Sequence, residues 1–154
     1  LFRSVFYPLQ TFSRKRLIEF NELPVCIEAK HENDLEILTE LANELKAKVY
    51  YINSDQRKSL HVAAVFVNNF VNHLYTEAEQ ICLNNNVPFE ILLPLIKETA
   101  HKVSTLNPYD AQTGPALRND TGVINEHLHR LNVQQKQIYT LLTQSIQNLH
   151  GKEL

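Results

Sequence analysis

A shortage of glycine constrains this chain more than any other feature of its sequence. Only 3 of the 154 residues are glycine, and the first of them is Gly114. Loops that cradle phosphate groups need glycine, because their backbone must turn sharply and approach the phosphate closely. No glycine-rich phosphate loop can therefore occur before Gly114. The chain also lacks methionine and begins at Leu1 on a strand-like run, so we expect it to be a piece of a longer protein.

The first third of the chain predicts strands that alternate with one helix. Short runs rich in β-branched and aromatic residues predict strands at Ser4–Tyr7, Leu23–Ala29 and Lys48–Asn53. Between the last two, Asn33 and Glu36 have the spacing of a capping box, which predicts the start of a helix. A strand, a helix and a strand with short connections form a crossover unit, so we expect these two strands to be parallel.

This crossover unit does not make a complete sheet. Parallel sheets are nearly always larger and covered on both faces, because a small one leaves unpaired edges and an uncovered face. Partner strands must come from elsewhere, and sequence upstream of this chain is the simplest source. We therefore interpret residues 1–54 as the last strands of a larger α/β domain.

From Ser54 onward the sequence predicts only helices. Ser54 is a good N-cap, and a stretch without glycine or proline continues from it to about Asn84. The next helix starts near Pro88 and continues to about Leu106. Pro94 is expected to kink or split it, because a proline ring does not fit inside a regular helix.

Two further helices complete the predicted helical region, residues 55–154. Asp120 is expected to cap the first of them, which ends near Asn132, and Gly151 to stop the second. The predicted fold class is therefore an α/β fragment followed by an all-α region.

Charge, hydropathy and cysteine usage exclude several classes of partner and site. The net charge of -2 argues against nucleic acid, which selects a basic surface. No apolar run is close to the length of about 18 residues that a membrane-spanning helix needs. Cys26 and Cys82 lie in apolar runs, which is typical of reduced thiols in a cytoplasmic protein. The 7 histidines show no metal-binding spacing, so we expect no metal site.

Polar side chains lie along the long helix that follows Ser54. One row contains Arg57, His61, Asn68 and Asn72. The row beside it contains His61, Asn69 and His73, together with the apolar Val65. Such groups on an otherwise apolar helix need hydrogen-bond partners, because a buried polar group without one costs about 1–3 kcal/mol. Either neighbouring helices satisfy them, or they line a polar cleft, and spacing alone leaves both alternatives open.

A second polar cluster lies where a loop enters a helix. It reads Gln112-Thr113-Gly114-Pro115-x-x-Arg118-x-Asp120. Its simplest interpretation is a turn with an N-cap and a local pair between Arg118 and Asp120. The alternative is a loop that contacts a ligand.

Three motifs together resemble a known family. They are Tyr7-Pro8-Leu9-Gln10-Thr11-Phe12-Ser13, His61-Val62-Ala63-Ala64-Val65-Phe66-x-x-Asn69-Phe70 and Gly114-Pro115-x-x-Arg118-x-Asp120. The same motifs occur in the same order in NADP oxidoreductases in which a Rossmann-like domain precedes a helical domain of unknown function. That helical domain is similar to the dimerisation domains of pyrrolinecarboxylate reductase, ketopantoate reductase and phosphogluconate dehydrogenase. The resemblance extends from about Val5 to Ile146.

The resemblance implies a domain organisation and a cofactor. Residues 1–54 would be the C-terminal portion of a Rossmann-like nucleotide-binding domain, and residues 55–154 an α-helical dimerisation and substrate domain. NADP would be bound mainly by the missing upstream domain. The family's loop beside the nicotinamide corresponds to Pro8, Leu9, Gln10 and Thr11. Many relatives carry histidine where this chain has Tyr7, so the resemblance assigns Tyr7 no proton-transfer role.

The implied reaction is hydride transfer to a small-molecule substrate. His61 is the candidate proton donor, because an imidazole titrates near neutral pH and reduction of a carbonyl or imine needs a proton. Asn69 would orient His61 or the substrate, and Lys102 is a rival donor. The residues expected to contact the substrate are Thr99, Gln112, Thr113, Gly114, Arg118 and Asp120.

Two alternatives accompany this interpretation. His61 could instead be bonded to a backbone carbonyl inside the helical core, and the whole chain could be a non-catalytic helical interaction module. Either way we expect a homodimer through the helical region, because its long helix has apolar side chains on more than one side. A Gly-x-Gly-x-x-Gly motif upstream of this chain would favour the oxidoreductase.

Overall fold

The computed structural model describes residues 4–13 and 17–151, and the chain divides into two compact units, Leu1–His73 and Leu74–Leu154. The strands are β1 (Ser4–Pro8), β2 (Pro24–Ala29) and β3 (Lys48–Tyr51). The helices are α1 (Glu32–Glu44), α2 (Ser54–Ala64), α3 (Val71–Asn84), α4 (Leu93–Thr105), α5 (Thr121–Arg130) and α6 (Val133–His150). A π-helical segment (Val65–Phe70) joins α2 to α3, and a 3-10 turn (Phe89–Leu92) precedes α4. The architecture is mixed α/β, with the strands confined to the first third of the chain.

The sheet of the first unit has the strand order β1-β2-β3. β2 and β3 are parallel, with Ile27 opposite Tyr51, and α1 connects them. This arrangement confirms the predicted crossover unit. β1 pairs antiparallel with the other side of β2, so that Phe6 lies opposite Ile27 and Pro8 opposite Val25. The end of β1 therefore lies beside the beginning of β2.

The core of the first unit forms around the central strand. Val25, Cys26 and Ile27 are 0%, 2% and 1% exposed. Since successive strand residues point to opposite faces, both faces of β2 are covered. Val25 and Ile27 form a cluster with Leu38 of α1, and partly buried side chains pack against it: Phe6, Ala29, Leu35, Ala47 and Val49.

Two of the predicted helix starts are wrong by one or two residues. α1 begins at Glu32 after His31, and no side chain caps it, so the predicted capping box at Asn33 does not form. α2 is capped by Asn53 rather than by Ser54. The Asn53 side chain accepts hydrogen bonds from the amides of Asp55 (3.1 Å) and Gln56 (2.9 Å), while the Gln56 side chain accepts from the Asn53 amide (2.9 Å).

The helical stretch from Ser54 to Asn84 is interrupted by the π-helical segment Val65–Phe70, which the sequence analysis did not predict. The predicted break at Pro94 is confirmed, because the 3-10 turn ends at Leu92 and Pro94 occupies the first turn of α4. Proline is tolerated there since the first amides of a helix have no partner within it.

The last two helices of the second unit start and stop at polar residues and a glycine. Asp120 caps α5, as predicted, and its carboxylate accepts from the Val123 amide at 3.1 Å. α5 ends at Arg130, and Asn132, predicted as its end, caps α6 instead. Gly151 ends α6, as predicted. Within the described ranges, no helix is both long enough and apolar enough to cross a bilayer.

Candidate functional site

A cavity of about 640 Å³ opens in the first unit between the end of β1 and the helix that carries His61. Five of the predicted site residues line it: Leu9, Gln10, Thr11, His61 and Asn69. Tyr7 and Asn68, which were not predicted as site residues, line it as well. Pro8, the remaining predicted residue of the loop, is half-buried as the last residue of β1. The structure therefore brings together the first two motifs of the sequence.

Tyr7 and His61, which both line this cavity, are in contact with each other. The Tyr7 hydroxyl lies 3.4 Å from His61 Nδ1, at the long end of the hydrogen-bond range. Among the described residues, His61 Nε2 has no hydrogen-bond partner. His61 is also exposed rather than buried in a helical core. Within the described residues, the contact of the His61 ring is therefore with the Tyr7 hydroxyl and not with a backbone carbonyl.

The cavity is lined by polar but uncharged groups. Gln10, Asn68 and Asn69 contribute amides, and Tyr7 and Thr11 contribute hydroxyls. None of its described lining residues is Asp, Glu, Lys or Arg. The remaining wall is apolar and comes from leucine, alanine and valine side chains. Such a surface can orient a small molecule by hydrogen bonds, and it includes the imidazole of His61.

The π-helical segment forms part of the cavity wall. It contains Val65, Val67, Asn68 and Asn69, all of which line the cavity. π-helical turns are rare and occur frequently at functional sites. The sequence carries a weak signal for the irregularity, because valine and asparagine are poor helix formers.

A polar network anchors α2 to the end of β2. Glu28 Oε2 accepts from Arg57 (2.6 Å) and from the Ser54 hydroxyl (2.7 Å), while its Oε1 accepts from the Ser54 amide (3.0 Å). The Arg57 guanidinium also donates to the Ser54 hydroxyl at 3.1 Å. The hydrogen bonds from Arg57 and Ser54 hold the pKa of the Glu28 carboxyl below its usual value. Of the predicted polar row, Arg57 is therefore satisfied by a neighbouring strand.

This network also fixes the direction of α2. Arg57 contacts Glu28, and one helical turn later His61 contacts Tyr7. Tyr7 pairs with Cys26, which precedes Glu28 on β2. α2 therefore runs back along the sheet, and this course carries His61 to the end of β1.

The second unit contains a separate cavity of about 360 Å³. Four predicted substrate or catalytic residues line it: Thr99, Lys102, Gln112 and Thr113. Thr99 donates through its hydroxyl to the Leu95 carbonyl (2.9 Å), and the Gln112 amide donates to the Thr113 carbonyl (2.8 Å). Glu98 also lines this cavity, so it offers both signs of charge to a ligand.

The rest of the second polar cluster forms a turn. Gly114 has a φ of 106°, a conformation that side-chain-bearing residues rarely adopt. The predicted pair between Arg118 and Asp120 does not form, and the Asp120 carboxylate instead caps α5. Arg118 is exposed and has no ion pair within the described parts of the chain. Its guanidinium remains available to an anion.

The predicted site residues thus fall into two groups, one in each unit. That a substrate lies between the His61 group and the Lys102 group stays a prediction. Likewise, the predicted division into residues 1–54 and 55–154 is not tested by the fold. Among the described residues, no group of three histidine, cysteine or acidic side chains could hold a metal ion.

Comparison with known proteins gives a family and several structural neighbours, two of which are named below. The model of a family described as "Domain of unknown function (DUF2520)" matches residues 23–146. The structure is similar to that of a Bacteroides fragilis protein named "putative NADP oxidoreductase BF3122", with 46% identity and a TM-score of 0.88. It shares its fold with protein TM1727 from Thermotoga maritima, with 23% identity and a TM-score of 0.75. The comparison with curated proteins gave no match.

The chain corresponds to only part of each neighbour. In both comparisons 97% of this chain is covered, but it spans only 57% of the Bacteroides fragilis chain and 62% of the Thermotoga maritima chain.

Proposed function

This chain belongs to the DUF2520 family, and we propose that it is the C-terminal part of an NADP-dependent oxidoreductase. The observation that carries the proposal is the cavity of the first unit, where the loop after β1 meets the helix with His61. The 46% identity to a protein named as a putative NADP oxidoreductase supports the reaction class. The small sheet supports it as well, because its three strands suit the end of a larger nucleotide-binding sheet.

In this proposal the cofactor supplies the hydride, and the chain supplies a proton and orientation. His61 donates the proton, and Asn69 of the neighbouring π-helical segment orients His61 or the substrate. Pro8, Leu9, Gln10 and Thr11 would help to hold the nicotinamide end of NADP. The exposure of His61 and its place on the cavity wall support its role.

The second unit completes the substrate side of the site in the same proposal. Lys102 is a rival proton donor, and Arg118 is the candidate partner of a substrate carboxylate. Thr99, Gln112, Thr113, Gly114 and Asp120 shape the binding site or its rim. The shared cavity of Thr99, Lys102, Gln112 and Thr113 supports this grouping.

We further propose a homodimer, as in the dimerisation domains of pyrrolinecarboxylate reductase, ketopantoate reductase and phosphogluconate dehydrogenase. Large apolar side chains are exposed on the helical stretch after His61: Val62, Phe66, Val67 and Phe70. Monomeric proteins rarely expose contiguous apolar surface of this kind, so a second copy is the proposed cover. The free thiols of Cys26 and Cys82 fit a reducing compartment such as the cytoplasm.

The proposal is tested with the full-length protein, including the sequence upstream of this chain. NADPH is titrated by calorimetry, and its oxidation is followed against a panel of 2-keto acids, aldehydes and cyclic imines. We expect NADPH to bind the full-length protein, and the 154-residue chain alone to bind it only weakly, because no glycine precedes Gly114. Full-length protein that neither binds NADPH nor oxidises it would support the alternative, a non-catalytic helical interaction module, which the exposed apolar side chains also fit.

A further inference from the structure

We propose that Tyr7 is a positioning residue for His61. Its hydroxyl occupies Nδ1 of the imidazole and so makes Nε2 the nitrogen that exchanges a proton with the substrate. This inference rests on the proposed proton-transfer role of His61 and adds the residue that sets which ring nitrogen acts. It stands on the 3.4 Å contact between the Tyr7 hydroxyl and His61 Nδ1.

Both ends of this contact are held by regular structure. Tyr7 belongs to β1 and is fixed by antiparallel pairing with Cys26, which is 2% exposed. His61 belongs to α2, and Arg57, one turn earlier, is bonded to Glu28 of the same sheet. The ring and the hydroxyl are therefore placed by two elements anchored to β2, as an active-site pair requires.

The chemistry of the two groups decides which nitrogen is left for the substrate. A phenol can donate or accept a hydrogen bond, whereas a neutral imidazole has one donor and one acceptor nitrogen. When His61 is neutral before the reaction, the Tyr7 hydroxyl donates to Nδ1, and the ring proton resides on Nε2. When His61 is protonated, Nδ1 donates to the Tyr7 oxygen instead. In both states Nδ1 is occupied by Tyr7.

Nε2 is the nitrogen that remains, and it has no partner among the described residues. In the proposed reaction the imidazolium releases its Nε2 proton to the carbonyl oxygen or imine nitrogen of the substrate. The cofactor would supply the hydride that the substrate carbon gains. The ring would be left neutral with its remaining proton on Nδ1, donated to the Tyr7 oxygen, and proton exchange with solvent would restore the resting Nε2–H tautomer. Tyr7 loses no proton in this step, so its role is to hold the ring.

The test uses Tyr7→Phe in the full-length protein labelled with ¹⁵N-histidine. Nitrogen chemical shifts give the ratio of the two neutral tautomers of His61, whose signal is assigned by its loss in His61→Asn. In the unsubstituted protein we expect the proton on Nε2. In Tyr7→Phe we expect the ratio of Nε2–H to Nδ1–H to fall about fivefold, the equilibrium factor of one ordinary hydrogen bond.

Tyr51→Phe is the matched control, because the Tyr51 hydroxyl makes a contact of the same length, 3.4 Å, to Thr39 outside the cavity. It should leave the His61 tautomers unchanged. A change of less than twofold in Tyr7→Phe, or an Nδ1–H tautomer in the unsubstituted protein, would overturn the inference. The second result does not depend on the folding of Tyr7→Phe, because His61→Asn serves only to assign the signal. The readout involves neither NADPH nor substrate, so failure of the proposed function would show separately in the NADPH assays.

Discussion

Replacement of Phe66 by serine is expected to weaken the proposed homodimer by about 30- to 1000-fold. Phe66 is 63% exposed within one chain. Full burial of a phenylalanine side chain contributes about 1.5–3 kcal/mol, so the exposed part of Phe66 offers about 1–2 kcal/mol. A two-fold interface contains the residue twice, which gives about 2–4 kcal/mol per dimer. Each 1.4 kcal/mol corresponds to about a tenfold change in the dissociation constant.

Sedimentation equilibrium of the full-length protein over a range of concentrations measures this constant. Ile37→Ser is the control, because Ile37 is 56% exposed but lies on α1. Phe66→Ser also removes an edge-to-face contact with Phe70, whose ring centroid is 5.1 Å away. That contact contributes about 0.5–1.5 kcal/mol within each chain, so unfolding is followed separately by urea titration at a concentration where the variant is monomeric.

The reasoning fails in either of two ways. If Phe66→Ser and Ile37→Ser change the dissociation constant equally, the apolar surface after His61 is not the interface. If the unsubstituted protein sediments only as a monomer at micromolar concentration, there is no homodimer to weaken.

Three further predictions follow from the first unit. His61→Asn should lower turnover by about 100-fold or more while leaving the melting temperature nearly unchanged, since the side chain is exposed; a parallel loss of stability would indicate a structural role. Glu28→Gln should destabilise the protein near neutral pH. Because Arg57 lowers the pKa of Glu28 in the folded state, this ion pair stabilises the fold above the unfolded-state pKa, and its effect disappears as pH falls through the folded-state pKa. Urea titrations from pH 7 to pH 3 should therefore show the two proteins converging, and a constant difference would contradict the assignment. Ile27→Ala should lower the free energy of unfolding by about 2–5 kcal/mol and Ile27→Val by about 0.5–1.5 kcal/mol, because Ile27 is 1% exposed in the core; equal small losses would mean that the site collapses around the missing atoms.

The elements of the fold could be predicted where local sequence determines them. The strands at Leu23–Ala29 and Lys48–Asn53 are short apolar runs bounded by turn residues, a pattern typical of β-strands. Their parallel pairing follows from the helix between them. The cap at Asp120 and the stop at Gly151 are similarly local. The predicted caps at Asn33 and Ser54 are wrong for different reasons. No side chain caps α1, whereas at α2 a tertiary contact decides which of two adjacent polar residues forms the cap. The Ser54 amide and hydroxyl donate hydrogen bonds to Glu28, 26 residues earlier in the chain, and Asn53 caps the helix instead.

The candidate site was predictable in its residue types but not in its pairings. His61 and the loop Gln10–Thr11 could be identified from their motifs, yet nothing local indicates that Tyr7 meets His61 across 54 positions of sequence. The pairing depends on the register of β1 against β2 and on the direction of α2. The π-helical segment Val65–Phe70 could not be predicted from the regular 3.6-residue period of an α-helix, because its hydrogen bonds span one residue more.

The two cysteines have a practical consequence, because they give each unit its own chemical reporter of opening. Cys26 on β2 is 2% exposed and Cys82 on α3 is 8% exposed, and both are free. Burial raises the pKa of the Cys26 thiol, so the reactive thiolate is scarce in the folded state. Because both side chains are buried, a thiol reagent in the surrounding solution modifies them mainly during transient exposure. Peptide mapping of the modified protein over time would then give two rates, one from Leu1–His73 and one from Leu74–Leu154. Similar rates would indicate that the two units open together in one cooperative transition. Clearly different rates would indicate that they open independently.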